Sequence, residues 1–142
     1  MKKIFLSILL LTLNLSAFDT QMASKIFDKI FLALIDKKEI YVYTKDERYY
    51  EVIEQAPHLS LVKNSSYADI VLVNNCKNLS PESSLKLFTT NLTIYKKREE
   101  SIGIFYWKHG RPKIIFSKER LKKFNIIVNK QWQKYIISDS KI

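Results

Sequence analysis

The stretch SIGIFYWKHGRPKIIF, residues 101–116, combines two apolar runs with a short basic centre. Apolar residues occupy successive positions over 102–107, so both faces of a strand there would be apolar. Two apolar faces are typical of a strand in a sheet that is covered on both sides. Gly110 permits a tight turn, and Pro112 fits the start of a second strand over 113–116. The stretch therefore predicts a core β-hairpin in a mostly buried sheet.

The basic centre of this stretch is a candidate binding site. Lys108, His109 and Arg111 would lie at the hairpin tip beside Trp107, and a second basic and aromatic group ends at Arg98. Cations next to aromatic rings can hold an anion or stack against a planar group. We therefore take Arg98, Trp107, Lys108, His109 and Arg111 as candidate residues for binding a partner or ligand. The structural alternative places the aromatic rings in the core and the basic residues in solvated loops.

Outside the hairpin, the apolar pattern alternates between helical and strand spacing. Residues 20–36 carry a broad apolar face at helical spacing, with Thr20 as the N-cap and Asp28 off the apolar face. Strands are predicted over 39–44, 59–62, 68–75, 87–90 and 91–95, and shorter helices over 46–55 and from Ser80, Ser117 and Asn129. An exposed loop over 96–101 and a loose tail over 138–142 are also predicted. Strands alternating with helices predict an α/β layered domain with a mixed sheet.

The first 17 residues predict a secretory signal peptide. Lys2 and Lys3 precede a nearly unbroken apolar run over 4–15, and Ser16 and Ala17 supply small residues before the expected cleavage point. The run is short for a membrane span, which needs about 20 residues. Because Leu15 replaces a preferred small residue, an uncleaved membrane anchor is the alternative. We expect residues 1–17 to direct export and residues 18–142 to form one domain.

The composition limits the chemistry of the domain. A net charge of +10 is typical of proteins that bind nucleic acid. Export argues against that partner, so the charge is better explained by attraction to anionic lipid head groups or by a solvated surface. Cys76 is the single cysteine, so no internal disulfide can form. His58 and His109 are far from each other and from Cys76, without the spacing of a metal site. No nucleophile motif or glycine-rich phosphate loop occurs, so we expect no metal, no cofactor and no catalysis.

The order of elements and the closing stretch IGIFYWKHGRPKIIFSKERLKKFNI, residues 102–126, resemble the YfiR/HmsC-like periplasmic proteins. The matching positions are Ile102, Gly103, Ile104, Phe105, Ile114, Phe116, Leu121 and Ile126. The resemblance spans most of residues 18–142 and rests on hydrophobic patterns. It implies a single three-layer α/β domain, with a mixed sheet flanked by helices, that has no enzymatic activity.

The same resemblance implies a function in the periplasm. Members of this family bind the periplasmic sensor portion of an inner-membrane diguanylate cyclase and restrain it, upstream of cyclic-di-GMP signalling and biofilm formation. Redox control through paired cysteines does not carry over, because Cys76 is alone. The alternative function is a small solute-binding domain like one lobe of a binding protein, with a pocket lined by Arg98, Trp107 and Arg111. A homodimer and a weak membrane-surface contact also stay open.

Overall fold

The computed structural model describes residues 19–75 and 85–142, where helices and strands alternate. Helices α1 to α4 span Thr20–Leu34, Tyr50–Gln55, Leu92–Lys97 and Lys118–Lys123. Strands β1 to β7 span Ile40–Tyr43, Leu59–Leu61, Ile70–Val73, Leu87–Thr89, Ser101–Lys108, Arg111–Ser117 and Ile136–Ile137. Short 3-10 helices span Glu47–Tyr49, Ser65–Tyr67, Lys130–Tyr135 and Asp139–Lys141. The predicted signal peptide, Cys76 and the helix expected from Ser80 lie outside the described residues.

The strands form one seven-stranded sheet in the order β2-β1-β3-β4-β5-β6-β7. Strands β1 to β5 are parallel, β6 is antiparallel to β5, and β7 is parallel to β6. The predicted α/β domain with a mixed sheet is therefore confirmed. We call the edge where β1 to β5 end the carboxyl edge, and the edge where they begin the amino edge.

Helices cover both faces of this sheet. On β3, Ile70 and Leu72 belong to the main core cluster together with the apolar face of α1. The alternate residues Val71 and Val73 form a second cluster with Ile94 of α3. Because successive side chains of a strand point to opposite faces, α1 and α3 lie on opposite sides of β3. The fold therefore has the three layers that we expected.

Helix α1 packs tightly but differs from the prediction in two details. Its N-cap is Asp19 and not Thr20, because the Asp19 side chain accepts a hydrogen bond from the Met22 amide at 2.9 Å. Asp28, expected off the apolar face, is buried. Its Oδ1 accepts a hydrogen bond from the backbone amide of His58 at 2.9 Å, and its Oδ2 lies 3.0 Å from His58 Nδ1. This pair joins α1 to the start of β2.

Two stretches adopt a different structure from the one predicted. Residues 91–95 were expected in a strand, but Asn91 caps α3 by accepting hydrogen bonds from the Thr93 and Ile94 amides. This capping outweighs the β-forming composition. Of the expected loop 96–101, residues 98–100 do form a short turn, whereas Lys96 and Lys97 end α3 and the fully buried Ser101 begins β5.

The C-terminal tail is docked, so the prediction of a loose tail is wrong. Glu119 of α4 accepts a hydrogen bond from Ser138 Oγ at 2.5 Å and one from the Asp139 amide at 3.0 Å. Arg120 donates its Nε to Asp139 at 3.1 Å. These contacts hold the tail against α4. The hydrogen bond from Ser138 is the main reason that the pKa of Glu119 is lowered to about 2.

Candidate functional site

The β5–β6 hairpin extends beyond the carboxyl edge. Strand β4 ends at Thr89, which pairs with Ile104, while β5 continues to Lys108. Only β6 accompanies β5 past that point, and the last pair is Lys108 with Arg111. Four residues of strand correspond to about 13 Å. The hairpin predicted from residues 101–116 is confirmed, and its tip projects from the rest of the sheet.

A two-residue turn forms the hairpin tip. His109 and Gly110 both have positive φ angles, 52° and 73°. Positive φ at both central positions is the geometry of the type I′ turn, which matches the twist of the flanking strands. Pro112 lies in the part of β6 that does not pair with β7. Its missing amide hydrogen therefore costs no hydrogen bond on the side of β6 that faces away from β5. The backbone of the tip is therefore well defined.

The tip presents an indole and three basic side chains to solvent. Trp107 is 61% exposed, and its ring contacts Phe105 edge-on at 6.2 Å. Lys108, His109 and Arg111 are exposed, and their side chains make no hydrogen bond or ion pair with residues 19–75 or 85–142. We call these four residues, Trp107, Lys108, His109 and Arg111, the hairpin tip. An exposed aromatic anchor and unpaired basic side chains at one end of a hairpin are suited to binding an acidic partner surface. Because successive side chains of a strand point to opposite faces, Trp107 leaves the hairpin on the other face from Lys108.

The structure separates Arg98 from the hairpin tip. Arg98 follows α3 at the amino edge, and its Nε lies 3.3 Å from Glu100 Oε2. The length of β5 places it about 23 Å from the turn. Four of the five candidate residues are thus brought together, and Arg98 is excluded from their site by the course of β5.

A polar network that the sequence analysis missed lies at the carboxyl ends of β1, β3 and β4. Asp46 accepts hydrogen bonds from the backbone and side chain of Arg48 and from Asn74 Nδ2. Asn91 donates to the Asn74 carbonyl at 3.4 Å. The hydrogen bonds from the Arg48 side chain hold the pKa of Asp46 below its usual range. The signal for this network was available, since polar residues directly follow each of three strands.

This network occupies the position where ligands bind in many open α/β sheets. The strand order reverses between β1 and β3, and the crevice outside such a switch point is the usual ligand site. Here Thr44, Asp46 and Asn74 surround a space of about 10 Å³, too small for an organic ligand. Asp46 and Asn74 also bond to each other. Within residues 19–75 and 85–142, the side chains of Asp46 and Asn74 therefore occupy the switch point.

The two histidines lie at opposite edges of the sheet. His58 lies at the amino edge beside Asp28, whereas His109 lies beyond the carboxyl edge. In residues 19–75 and 85–142, no cluster of three or more His, Cys, Asp or Glu side chains could hold a metal ion. Across the same residues, no helix has both the length and the apolar character needed to cross a bilayer.

No family model, curated protein or solved structure matches the chain. The resemblance to the YfiR/HmsC-like proteins therefore stays a prediction from the pattern of residues 102–126.

Proposed function

We propose that this chain is an exported, non-catalytic regulator that binds the periplasmic part of an inner-membrane signalling protein, such as a diguanylate cyclase, and restrains it. The hairpin tip is the contact surface. The observation that carries the proposal is the exposure of Trp107 and of three unpaired basic side chains at the end of a projecting hairpin with a type I′ turn. Tryptophan and arginine are enriched among the residues that contribute most to protein–protein affinity.

The charge of the tip indicates the chemistry of the partner surface. Lys108 and Arg111 are the last paired residues of the hairpin, so both flank the turn. A partner with an acidic patch and a small apolar cavity would complement these cations and the indole of Trp107. Binding of this kind weakens as ionic strength rises, because salt screens exposed charges. The resemblance to the YfiR/HmsC-like proteins supports an inner-membrane sensor or cyclase as that partner.

The test is capture of partners from solubilised membranes of the source cells, followed by mass spectrometry. The wild-type chain is compared with Trp107→Ala and with Tyr67→Ala. Tyr67 is a matched control because it is an exposed aromatic residue, 73% accessible, that precedes β3 at the amino edge. We expect a sensor or cyclase to be retained by the wild type and the control, and lost with Trp107→Ala. Capture of no membrane signalling protein by the wild type would overturn the proposal.

A solute-binding function is the second candidate, and one groove favours it. The groove lies between α1 and the 3-10 helix Lys130–Tyr135, with a volume of about 540 Å³. Its lining includes Trp132, Tyr135, Lys29 and Lys134. This groove is not the pocket expected beside Arg98, Trp107 and Arg111, because none of those three residues lines it. A ligand that raises the melting temperature of the wild type but not of Trp132→Ala would favour this function.

A further inference from the structure

A second exposed apolar surface lies next to α4. Ile127 has 92% of its surface accessible, more than any other large apolar side chain in the described part of the chain. It borders a groove of about 410 Å³ that is also lined by the apolar residues Leu121, Ile126 and Ile136. A single exposed apolar residue is ordinary, but Ile127 continues an apolar groove. Such a continuous patch indicates a surface that binds a partner.

The loop that presents Ile127 is held in place. Asn125 adopts a left-handed conformation with φ of 54°, and its amide donates to the Lys122 carbonyl at 3.1 Å. The Ile126 amide donates to the Leu121 carbonyl at 2.9 Å. On the other side of Ile127, Gln133 Nε2 donates to the Val128 carbonyl at 2.9 Å. The exposure of Ile127 therefore follows from a hydrogen-bonded turn.

Two lysines border the same groove. Lys118 and Lys122 line it and lie one helical turn apart on α4, so their side chains are on one side of the helix. The neighbouring carboxylates are engaged elsewhere, since Glu119 binds Ser138 and Asp139 pairs with Arg120. Within residues 19–75 and 85–142, the two lysine side chains make no ion pair. The surface is therefore apolar in its middle and cationic at its rim.

We propose that this surface docks on anionic phospholipids of a membrane, with Lys118 and Lys122 at the head groups and Ile127 inserted among the acyl chains. We call Lys118, Lys122, Ile126 and Ile127 the α4 face. A small soluble anion would leave Ile127 in water, and a neutral apolar ligand would leave the lysines unused. An anionic lipid surface satisfies both features.

The α4 face goes beyond the proposed function and shares no residue with the hairpin tip. Helix α4 begins directly after β6 at the amino edge, whereas the hairpin tip projects past the carboxyl edge. One surface would thus contact the lipid while the other stays available for a protein. Vesicles contain no signalling protein, so a failure of lipid binding is distinguishable from a failure of the proposed function.

The first experiment measures partition of the exported chain onto vesicles by flotation. Vesicles of phosphatidylcholine mixed with phosphatidylglycerol are compared with vesicles of phosphatidylcholine alone. We expect binding to the anionic vesicles, weakened by more than about tenfold in Ile127→Ser, because one buried apolar side chain is lost. The double variant Lys118→Gln with Lys122→Gln should weaken it by about thirtyfold, at about 1 kcal/mol for each charge.

The hairpin supplies the matched control. Lys108→Gln with Arg111→Gln removes the same number of positive charges as the lysine variant but leaves the α4 face intact. We expect this control to bind anionic vesicles within about twofold of the wild type. Equal weakening by the two double variants would mean that net charge alone attracts the chain, and this result would overturn the proposal. Absence of binding to the anionic vesicles would overturn it as well.

A second measurement places Ile127 in the bilayer directly. A polarity-sensitive fluorophore is attached to Ile127→Cys, or to Trp107→Cys as a comparison, with Cys76→Ser in both. We expect the emission to shift to the blue on anionic vesicles for the label at position 127 and to stay unchanged at position 107. If the hairpin drove binding, the label at 127 would stay in water. An unshifted emission at 127 on bound protein therefore overturns the proposal.

Discussion

Two cationic sites at opposite edges of the sheet, one around Arg120 and one at the hairpin tip, use positive charge in opposite ways. At the amino edge, Arg120 is buried, and its Nη1 donates to the backbone carbonyls of Tyr95 at 2.7 Å and Ser101 at 2.9 Å. Its Nε bonds to Asp139, and its guanidinium stacks on the Tyr95 ring with 4.4 Å to the centroid. We call this arrangement the Arg120 clamp. It joins α3, β5, α4 and the C-terminal tail.

At the carboxyl edge, the cations of the hairpin tip have no comparable contacts. Lys108 and Arg111 are exposed and unpaired within the described residues. A buried guanidinium must have its donors satisfied, because an unpaired buried charge is costly, whereas an exposed one keeps its water. The Arg120 clamp therefore serves stability, and the hairpin tip is available for binding. The contact environment, and not the residue type, separates the two uses of positive charge.

Removing the clamp should have the largest effect on stability. Arg120→Ala removes the guanidinium that bonds to the Asp139 carboxylate and to the Tyr95 and Ser101 carbonyls, and we expect a loss of about 3–5 kcal/mol in the free energy of unfolding. Urea denaturation measures this loss. Arg111→Ala is the matched control at the other edge and should change stability by less than about 0.5 kcal/mol. Similar losses in the two variants would contradict the distinction between the edges.

The buried Tyr95 ring beneath Arg120 should also make stability depend on alkaline pH, because burial raises the pKa of Tyr95 more than the Arg120 charge lowers it. Burial raises the pKa of Tyr95 to about 12, above its ordinary value of 10.0. The unfolded chain therefore releases this proton at lower pH than the folded chain does. The contribution of Tyr95 is fully present below pH 10 and is lost as pH rises towards 12, by about 2–3 kcal/mol. Denaturation of the wild type and of Tyr95→Phe across this range should show a steeper loss in the wild type, and parallel curves would contradict the assignment.

The two glycines of the hairpin differ in the same way. Gly103 lies in the packed core, whereas Gly110 lies in the exposed turn. A Cβ at Gly103 would lie 2.8 Å from Phe116 Cδ1, 2.9 Å from Phe88 Cε2 and 3.0 Å from the Ile115 carbonyl oxygen. We expect Gly103→Ala to destabilise the fold by about 1–3 kcal/mol, because two packed rings and a backbone oxygen must shift. Thermal denaturation with unchanged far-ultraviolet circular dichroism measures it. An unchanged melting temperature would mean that the rings have room to move.

Gly110→Ala should cost less, about 1 kcal/mol, and for a different reason. No atom lies within 4 Å of a Cβ built at Gly110, but its φ of 73° is unfavourable for alanine. The control is His109→Asn, which we expect to be neutral or stabilising, since asparagine is preferred at this position of a type I′ turn. Both are measured by urea denaturation. A stabilising Gly110→Ala would contradict the turn geometry.

Much of the fold could be predicted from local pattern. The apolar periodicity of α1, the two strands of the hairpin and the Ser117 cap of α4 depend on neighbours in sequence, and the structure confirms them. The Arg120 clamp could not be predicted, because its partners come from three distant segments. Nothing in the run KERLKK distinguishes the buried Arg120 from the exposed lysines beside it. The docked tail was missed for the same reason.

For the candidate site too, residues that are close in sequence could be placed from the sequence, and a more distant residue could not. Trp107, Lys108, His109 and Arg111 are neighbours across one turn, so the hairpin prediction alone brought them together. Arg98 was grouped with them by composition, and only the direction of β5 shows that it lies at the other edge. The position of Arg98 relative to the hairpin tip therefore depends on the course of β5, which the pattern of residues does not reveal.

The smallest effect on stability should come from removing the charge of the hairpin tip. The variant Lys108→Ser, His109→Asn and Arg111→Ser keeps a residue that tolerates the positive φ at position 109. We expect the free energy of unfolding to stay within about 0.5 kcal/mol of the wild type for each substitution, because these side chains are exposed and unpaired. Partner capture from membranes should nevertheless be lost. A variant that unfolds would show that the tip is structural, whereas a stable variant that still retains the partner would move the contact surface away from the hairpin.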